Sequence, residues 1–191
     1  MGISAVLVSM PREMLNDAKW HLLGAEKFDK EGENAVFLRW REVRATAIFA
    51  IAAVESFMNS VADEYVQEHP KLDEHLKDYL QEREKYVKDG EVRERLIYLG
   101  IEEKLSGWTK IITGNIFDKS DQTWREFVEV KTFRDDLIHY KKGTTPSVYN
   151  RGTVDMARRS VRSAESMIER FYQCWGKTTP NWVHAAYREI R

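Results

Sequence analysis

Apolar residues recur at spacings of three and four along most of this chain, the period that places them on one face of a helix. In "PREMLNDAKWHLLGAEKF", Met14, Leu15, Ala18, Leu22 and Ala25 share such a face, and Pro11 sits where a first helical turn tolerates proline. Gly32 interrupts the pattern. The next run, "NAVFLRWREVRATAIFAIAAVESFMNSVADEYVQEHP", predicts a helix of about nine turns closed by Pro70. Its middle, 45–58, is apolar on nearly every side, which marks the central buried helix.

A charged stretch follows, "KLDEHLKDYLQEREKYVKDG", with Leu72, Leu76, Tyr79, Leu80 and Tyr86 as its apolar positions; it predicts one solvated helix stopped by Asp89-Gly90. "EVRERLIYLGIEEKLSGW" predicts a shorter helix or a pair, and "TKIITGNIFDKSDQ" a loop in which Ser120 or Asp121 caps the next helix. "TWREFVEVKTFRDDLIHYKK" predicts a helix ending at Gly143, and "TTPSVYNRG" a loop. "TVDMARRSVRSAESMIERFYQCW" packs through Val154, Ala157, Val161, Ala164, Ile168, Phe171 and Trp175, and "PNWVHAAYREIR" predicts a final short helix. No repeat or heptad array is visible. The expected fold is all-α, an up-and-down bundle of five or six helices in a single domain spanning 1–191. Residues 1–35 would form a helical extension, 36–176 the core and 177–191 the C-terminal helix.

Composition narrows the function. The 191 residues are 42% hydrophobic and 32% charged, with six Trp, eight Tyr and eight Phe to fill a core and only four Pro and ten Gly. A net charge of −1 supplies no global field for nucleic acid, so any contact with RNA must come from local patches. The single cysteine, Cys174, excludes an intramolecular disulfide and suits a reducing compartment. The start "MGISAVLVSMPREM" lacks a basic region and is too short to span a bilayer, and Val6 departs from the myristoylation pattern. These features predict a cytoplasmic protein without a membrane segment; the apolar stretch around Glu55 is shorter than a span.

No phosphate-binding glycine loop, dinucleotide fingerprint, nucleophile elbow or paired-cysteine motif is present, so no cofactor is expected. His69 and His75 lack the spacing and the third ligand that a zinc site needs, and His21 and His184 lie in amphipathic patterns beside tryptophans. No metal site is expected. One stretch remains, "FRDDLIHYKKG", with Arg134, Asp135 and His139 at the end of a helical run. On a wheel with Val130 at zero, Phe127, Phe133 and Leu137 cluster within about 60° of it as the core face. Arg134 falls at about 40°, and His139 at about 180° with Asp135 and Val128 near it. Asp135 and His139 are thus i,i+4 neighbours able to hydrogen-bond, while Arg134 points elsewhere. Convergence of Arg134 and His139 on one phosphate needs a bend at the helix end, the reach of the arginine, or a second copy of the helix. Without such convergence, Arg134 pairs with an acid at the core edge and His139 complements the helix dipole.

"EEKLSGWTKIITGNIFDKSDQTWREFVEVKTFRDDLIHYKKG" resembles the second half of a HEPN domain, where a helix bearing Lys-Leu, a variable loop and an aromatic-bearing helix lead into Arg-polar-x-x-x-His. "AIFAIAAVESFMNSVADEY" is similar to that family's first core helix, with Glu55, Phe57 and Asn59 at its acidic, aromatic and amide positions. The likeness extends over residues 40–175 as an order of helices. It implies a metal-independent endoribonuclease that cleaves single-stranded RNA as a homodimer, with Arg134 and His139 catalytic. It also implies a toxin or defence setting, with an antitoxin or defence-system protein as a further partner.

Histidine moves protons near neutral pH and an arginine fork clamps a phosphate, so the residue types suit attack by a ribose 2′-OH. DNA lacks that hydroxyl. Asp135 would orient His139 or hold the polar network together. Glu55 would belong either to a core network or to the support of Arg134, with Asn59 beside it. Arg151, Arg158, Arg159 and Arg162 concentrate charge after the motif, as a solvated face or as a track for RNA phosphates. The rival class is a non-catalytic HEPN module that binds RNA or nucleotide, or that dimerises; a third is a plain helical interaction protein.

Overall fold

Two helices form an antiparallel hairpin against which the later long helices pack. In this computed structural model residues 9–139 and 145–187 are described. Helix α1 (Met10–Lys30) returns through a 3-10 turn (Gly32–Ala35) into α2 (Val36–Glu68). An ion pair between Asp29 and Arg39 and a hydrogen bond between His21 and Glu42 tie the two helices in antiparallel register. Leu15, Ala18 and Ala25 of α1 are buried in the same core as Val43, Ala47, Ile51, Val54, Phe57 and Met58 of α2. Residues 10–30 are therefore a layer of the bundle rather than an extension to it. Small residues at the contact let the two helices approach closely. By length and composition α2 could cross a membrane, but 56% of its most apolar window is buried inside the protein.

Glu42 is a buried carboxylate in this largely apolar seam. Its carboxylate accepts from His21 Nδ1 at 2.6 Å and from Arg41 Nη2 at 2.6 Å. Burial alone would raise its pKa, but the bonds from His21 and Arg41 outweigh that and hold it below the usual carboxylate range.

The charged segment departs from expectation. It is a short helix, α3 (Glu74–Leu80), followed by an antiparallel hairpin, β1 (Arg83–Lys88) and β2 (Glu91–Leu96). Asp89 and Gly90 both take left-handed backbone conformations, φ 56° and 79°. That is the two-residue turn whose twist matches paired strands, and Asp-Gly supplies it at little cost. Its Arg and Glu residues mimic a solvated helix in sequence, yet they pair across strands, as Arg95 does with Glu84 at 2.6 Å.

Helix α4 covers residues 101–113, with an α turn (Ile101–Glu103), a π-helical stretch (Lys104–Trp108) and a second α segment (Thr109–Thr113). Leu105, Trp108 and Ile112 enter the core. Lys104 is buried and donates to Asn59 Oδ1 at 2.8 Å and Glu82 Oε2 at 2.7 Å, while Glu82 Oε1 accepts from the Leu99 N–H at 2.9 Å. This one lysine ties α2, the hairpin and α4 together. Lys104→Met should lower stability by about 3 kcal/mol, because it leaves two acceptors facing an apolar chain. A fall in the urea midpoint with an unchanged slope is the expected result.

Helix α5 (Gln122–Ile138) starts at the Asp121 cap, whose carboxylate accepts from the Thr123 N–H at 2.9 Å. Trp124, Phe127, Val130 and Phe133 form its buried face. The expected stop at Gly143 lies outside the described residues. "TTPSVYNRG", expected as a loop, contains α6 (Thr145–Arg151), where Val148 is buried and Tyr149 stacks on Trp40. Those tertiary contacts override the weak local helix signal.

Helix α7 (Val154–Trp175) runs between the Thr153 cap and Gly176, as its periodicity predicts. It places Phe171 and Tyr172 against Phe57 of α2, and Trp175 against Phe171. Burial pushes the Cys174 thiol up, with Arg170 opposing, which suits an unreactive packing residue. The final helix is not formed across 181–187, which is turn and irregular chain. Lys19 Nζ holds this segment by its Val183 and Ala185 carbonyls, at 2.8 and 2.6 Å. The class is all-α, as expected, with the hairpin added and with α3 and α6 as short extra helices.

Candidate functional site

The last two turns of α5 bring a cationic pair onto the flank of α2. Phe133 is fully buried, so its neighbour Arg134 emerges at the core edge, with a side chain 14% exposed. Arg134 Nη2 donates to Glu55 Oε1 at 2.7 Å. Of the two roles open to Glu55, the structure shows the pairing with Arg134. Arg134 Nε lies 3.2 Å from Asp135 Oδ1 but makes no well-aligned hydrogen bond. The other oxygen of Asp135 accepts from Lys131 Nζ at 2.9 Å, and Lys131 also lies 3.2 Å from Glu102 of α4. Burial pulls the Lys131 pKa down, but Asp135 and Glu102 outweigh it and leave it above the ordinary lysine value. Asp135 thus holds the polar network together, and its carboxylate is not bonded to the His139 ring.

His139 ends α5. Its backbone N–H still reaches the Asp135 carbonyl at 2.8 Å, but φ −99° and ψ 46° take the chain out of the helix. Its side chain is exposed and has no hydrogen-bond partner among the described residues. The backbone leaves the helix only beyond His139, so its side chain stays close to its place on the wheel, and no contact joins it to Arg134. The segment immediately after it, including Tyr140 and Lys141, lies outside the described residues. Val128, placed opposite the core by the wheel, is half-buried and packs against the core instead.

Two cations, Arg134 and Lys131, face three carboxylates, Glu55, Asp135 and Glu102, a local balance of 2 − 3 = −1. Arg134 keeps Nη1 without a partner among the described residues, and a guanidinium carries five donors, so a phosphate oxygen still has donors to meet.

Asn59, one turn beyond Glu55, serves Lys104 rather than Arg134. The four later arginines are all ion-paired. Arg151 meets Asp136 and lies over the Phe133 ring; Arg158 meets Glu26 at 2.8 Å. Arg159 meets Glu129 at 2.7 Å, and Arg162 reaches Glu126 at 3.9 Å. Such pairing opposes a phosphate track on α7. Among the described residues no group of three or more His, Cys, Asp or Glu is arranged to hold a metal ion.

Sequence reading missed Lys131, although its i,i+4 spacing to Asp135 is the signal that finds it. It also missed Lys104, whose partners are distant in sequence. Neither a family model, nor a curated protein, nor a solved structure matches this chain.

Proposed function

We propose that this protein is a HEPN-like endoribonuclease that cleaves single-stranded RNA without a metal ion. The observation that carries the reading is the division of labour at the end of α5: an arginine fixed by Glu55 and Asp135, followed by an exposed histidine at the helix break. Arg134 clamps the scissile phosphate through Nη1, which pairs with none of the described residues, and its two carboxylates keep the fork in one orientation. The ribose 2′-oxygen attacks phosphorus and its proton passes to an imidazole. The bond from phosphorus to the 5′-oxygen breaks, and that oxygen takes up a proton. The products are a 2′,3′-cyclic phosphate and a 5′-hydroxyl.

One histidine must act as base and then acid, or two must share the work. A homodimer with two copies of the α5 end across one groove supplies the second, and exposed Ile48 and Ile138 offer apolar surface on α2 and α5 for it. A cytoplasmic effector of this kind also calls for a partner protein that restrains it.

Purified protein should cut single-stranded RNA in EDTA, leave cyclic phosphate ends, and run as a dimer by light scattering at micromolar concentration. Cleavage that depends on a divalent ion, or equal cleavage of DNA, rejects the mechanism. The local excess of carboxylate around Arg134 favours a second reading, a non-catalytic HEPN module in which Arg134 is structural. That module predicts no cleavage under any of these conditions.

A further inference from the structure

The arginines after the motif are held by carboxylates, but one on α2 is not. Arg44 makes no ion pair among the described residues, and its Nε is buried without an acceptor. Its guanidinium carbon lies 4.1 Å from the centroid of the Trp40 ring. Tyr149 of α6 stacks on the same ring at 4.2 Å and 9°. Two groups this close to one centroid must take opposite faces, so the order is Arg44, Trp40, Tyr149. Tyr149 is the outer end and is 36% exposed.

The stack is held from behind. A Cβ on Gly152 would come within 2.4 Å of Trp40 Nε1 and 2.8 Å of its Cδ1, so only glycine lets the indole seat there.

Its position relates it to the motif. From Arg44 to Glu55 the helix rises about 16 Å and turns to within about 20° of the same direction. Ile48, 37% exposed, lies between them on that face. Along one side of α2 stand an unpaired cation with an aromatic stack, an apolar step, and the glutamate that carries Arg134.

We propose that the Arg44–Trp40–Tyr149 stack is a nucleotide subsite for single-stranded RNA. A base stacks on the open face of Tyr149, and Arg44 meets a phosphate of the same strand several nucleotides from the scissile bond. The site rests on the ribonuclease reading for the identity of its ligand. Interleaved aromatic and cationic groups are what sequence-tolerant single-strand binding uses, since every base has a π-face and every linkage a charge.

The test is fluorescence anisotropy of the full chain with a labelled 2′-O-methyl RNA dodecamer, which cannot be cleaved. Alongside it, cleavage rates are read on the unmodified dodecamer and on a dinucleotide too short to reach from Arg134 to Arg44. Arg44→Gln and Tyr149→Ala should each weaken dodecamer binding about tenfold, and Arg44→Gln should lower the salt slope by about 0.7. Tyr149→Phe keeps the ring and should bind like wild type, and a thermal midpoint read on each variant separates lost stacking from a folding defect. Gly152→Ala, which displaces Trp40, should match Tyr149→Ala. Dinucleotide cleavage should be unchanged in Arg44→Gln.

Equal dodecamer affinity in wild type, Arg44→Gln and Tyr149→Ala overturns the subsite. So does competition by polyglutamate as effective as by RNA, since the surface would then favour an acidic protein. Wild type that binds the dodecamer through Arg44 yet cuts nothing supports the subsite and removes the ribonuclease reading instead.

Discussion

His139→Ala should reduce cleavage of single-stranded RNA by about 10²–10⁴-fold while the protein folds as before. The size of the effect follows from losing the proton acceptor for the 2′-OH and the donor for the leaving 5′-oxygen. The intact fold follows from the position of the side chain. His139 is exposed at the end of α5 and has no bond to Asp135 or any other described residue through its ring, so its removal leaves no buried group unsatisfied. Surface substitutions of this kind shift stability by about 0.5 kcal/mol or less. Rate and thermal midpoint should therefore separate cleanly. In cells, expression of wild type should slow growth, and His139→Ala at equal protein level should relieve it. Equal toxicity of the two proteins, with equal RNA affinity in vitro, would place the function in binding and not in cleavage.

The four long helices were legible because apolar residues recur at helical spacing through each, on nearly every side in the middle of α2. Thr153 and Gly176 bracket α7, Asp121 opens α5, and the Gly32 break precedes α2. The hairpin at 83–96 was misread because its charges satisfy a helical pattern as well as a strand ladder. Asp89-Gly90 marks both a helix stop and a tight turn, and only the pairing of Val87 with Val92 across it decides between them. Helix α6 is short and owes its existence to the seating of Tyr149 on Trp40, a contact between residues more than a hundred positions apart. The site divides in the same way. The end of α5 could be placed on a wheel, and support of Arg134 was one of two roles open to Glu55. What a wheel cannot give is the occupancy of a charge. Arg158 and Glu26, or Lys104 and Asn59, meet only after the helices pack. Arg44 was passed over in an apolar run, although among the described residues it lacks the carboxylate that its more conspicuous relatives have.

Arg134→Ala should lower cleavage by about 10²–10³-fold, the scale of losing one donor to a transition-state oxygen, and should also destabilise the fold. The second effect distinguishes it from His139→Ala. Glu55 loses its charged partner at a site where its side chain is only 29% exposed. With solvent screening at that exposure, the stability cost is about 1–2 kcal/mol. Arg134→Lys should recover most of the stability, since an ammonium can still meet Glu55, but little of the rate. One point charge cannot hold the glutamate and present a fork to phosphate at once. Glu55→Gln keeps an acceptor for Nη2 and removes one of the three local negative charges. RNA should then bind more tightly, while the rate falls about tenfold or less because the guanidinium is less firmly held. The double variant Arg134→Ala, Glu55→Gln should regain the stability lost in Arg134→Ala, because no unpaired charge remains, and should stay as inactive. If stability recovers in that cycle but no wild-type cleavage is ever measured, Arg134 serves the fold alone and the binding-module reading stands.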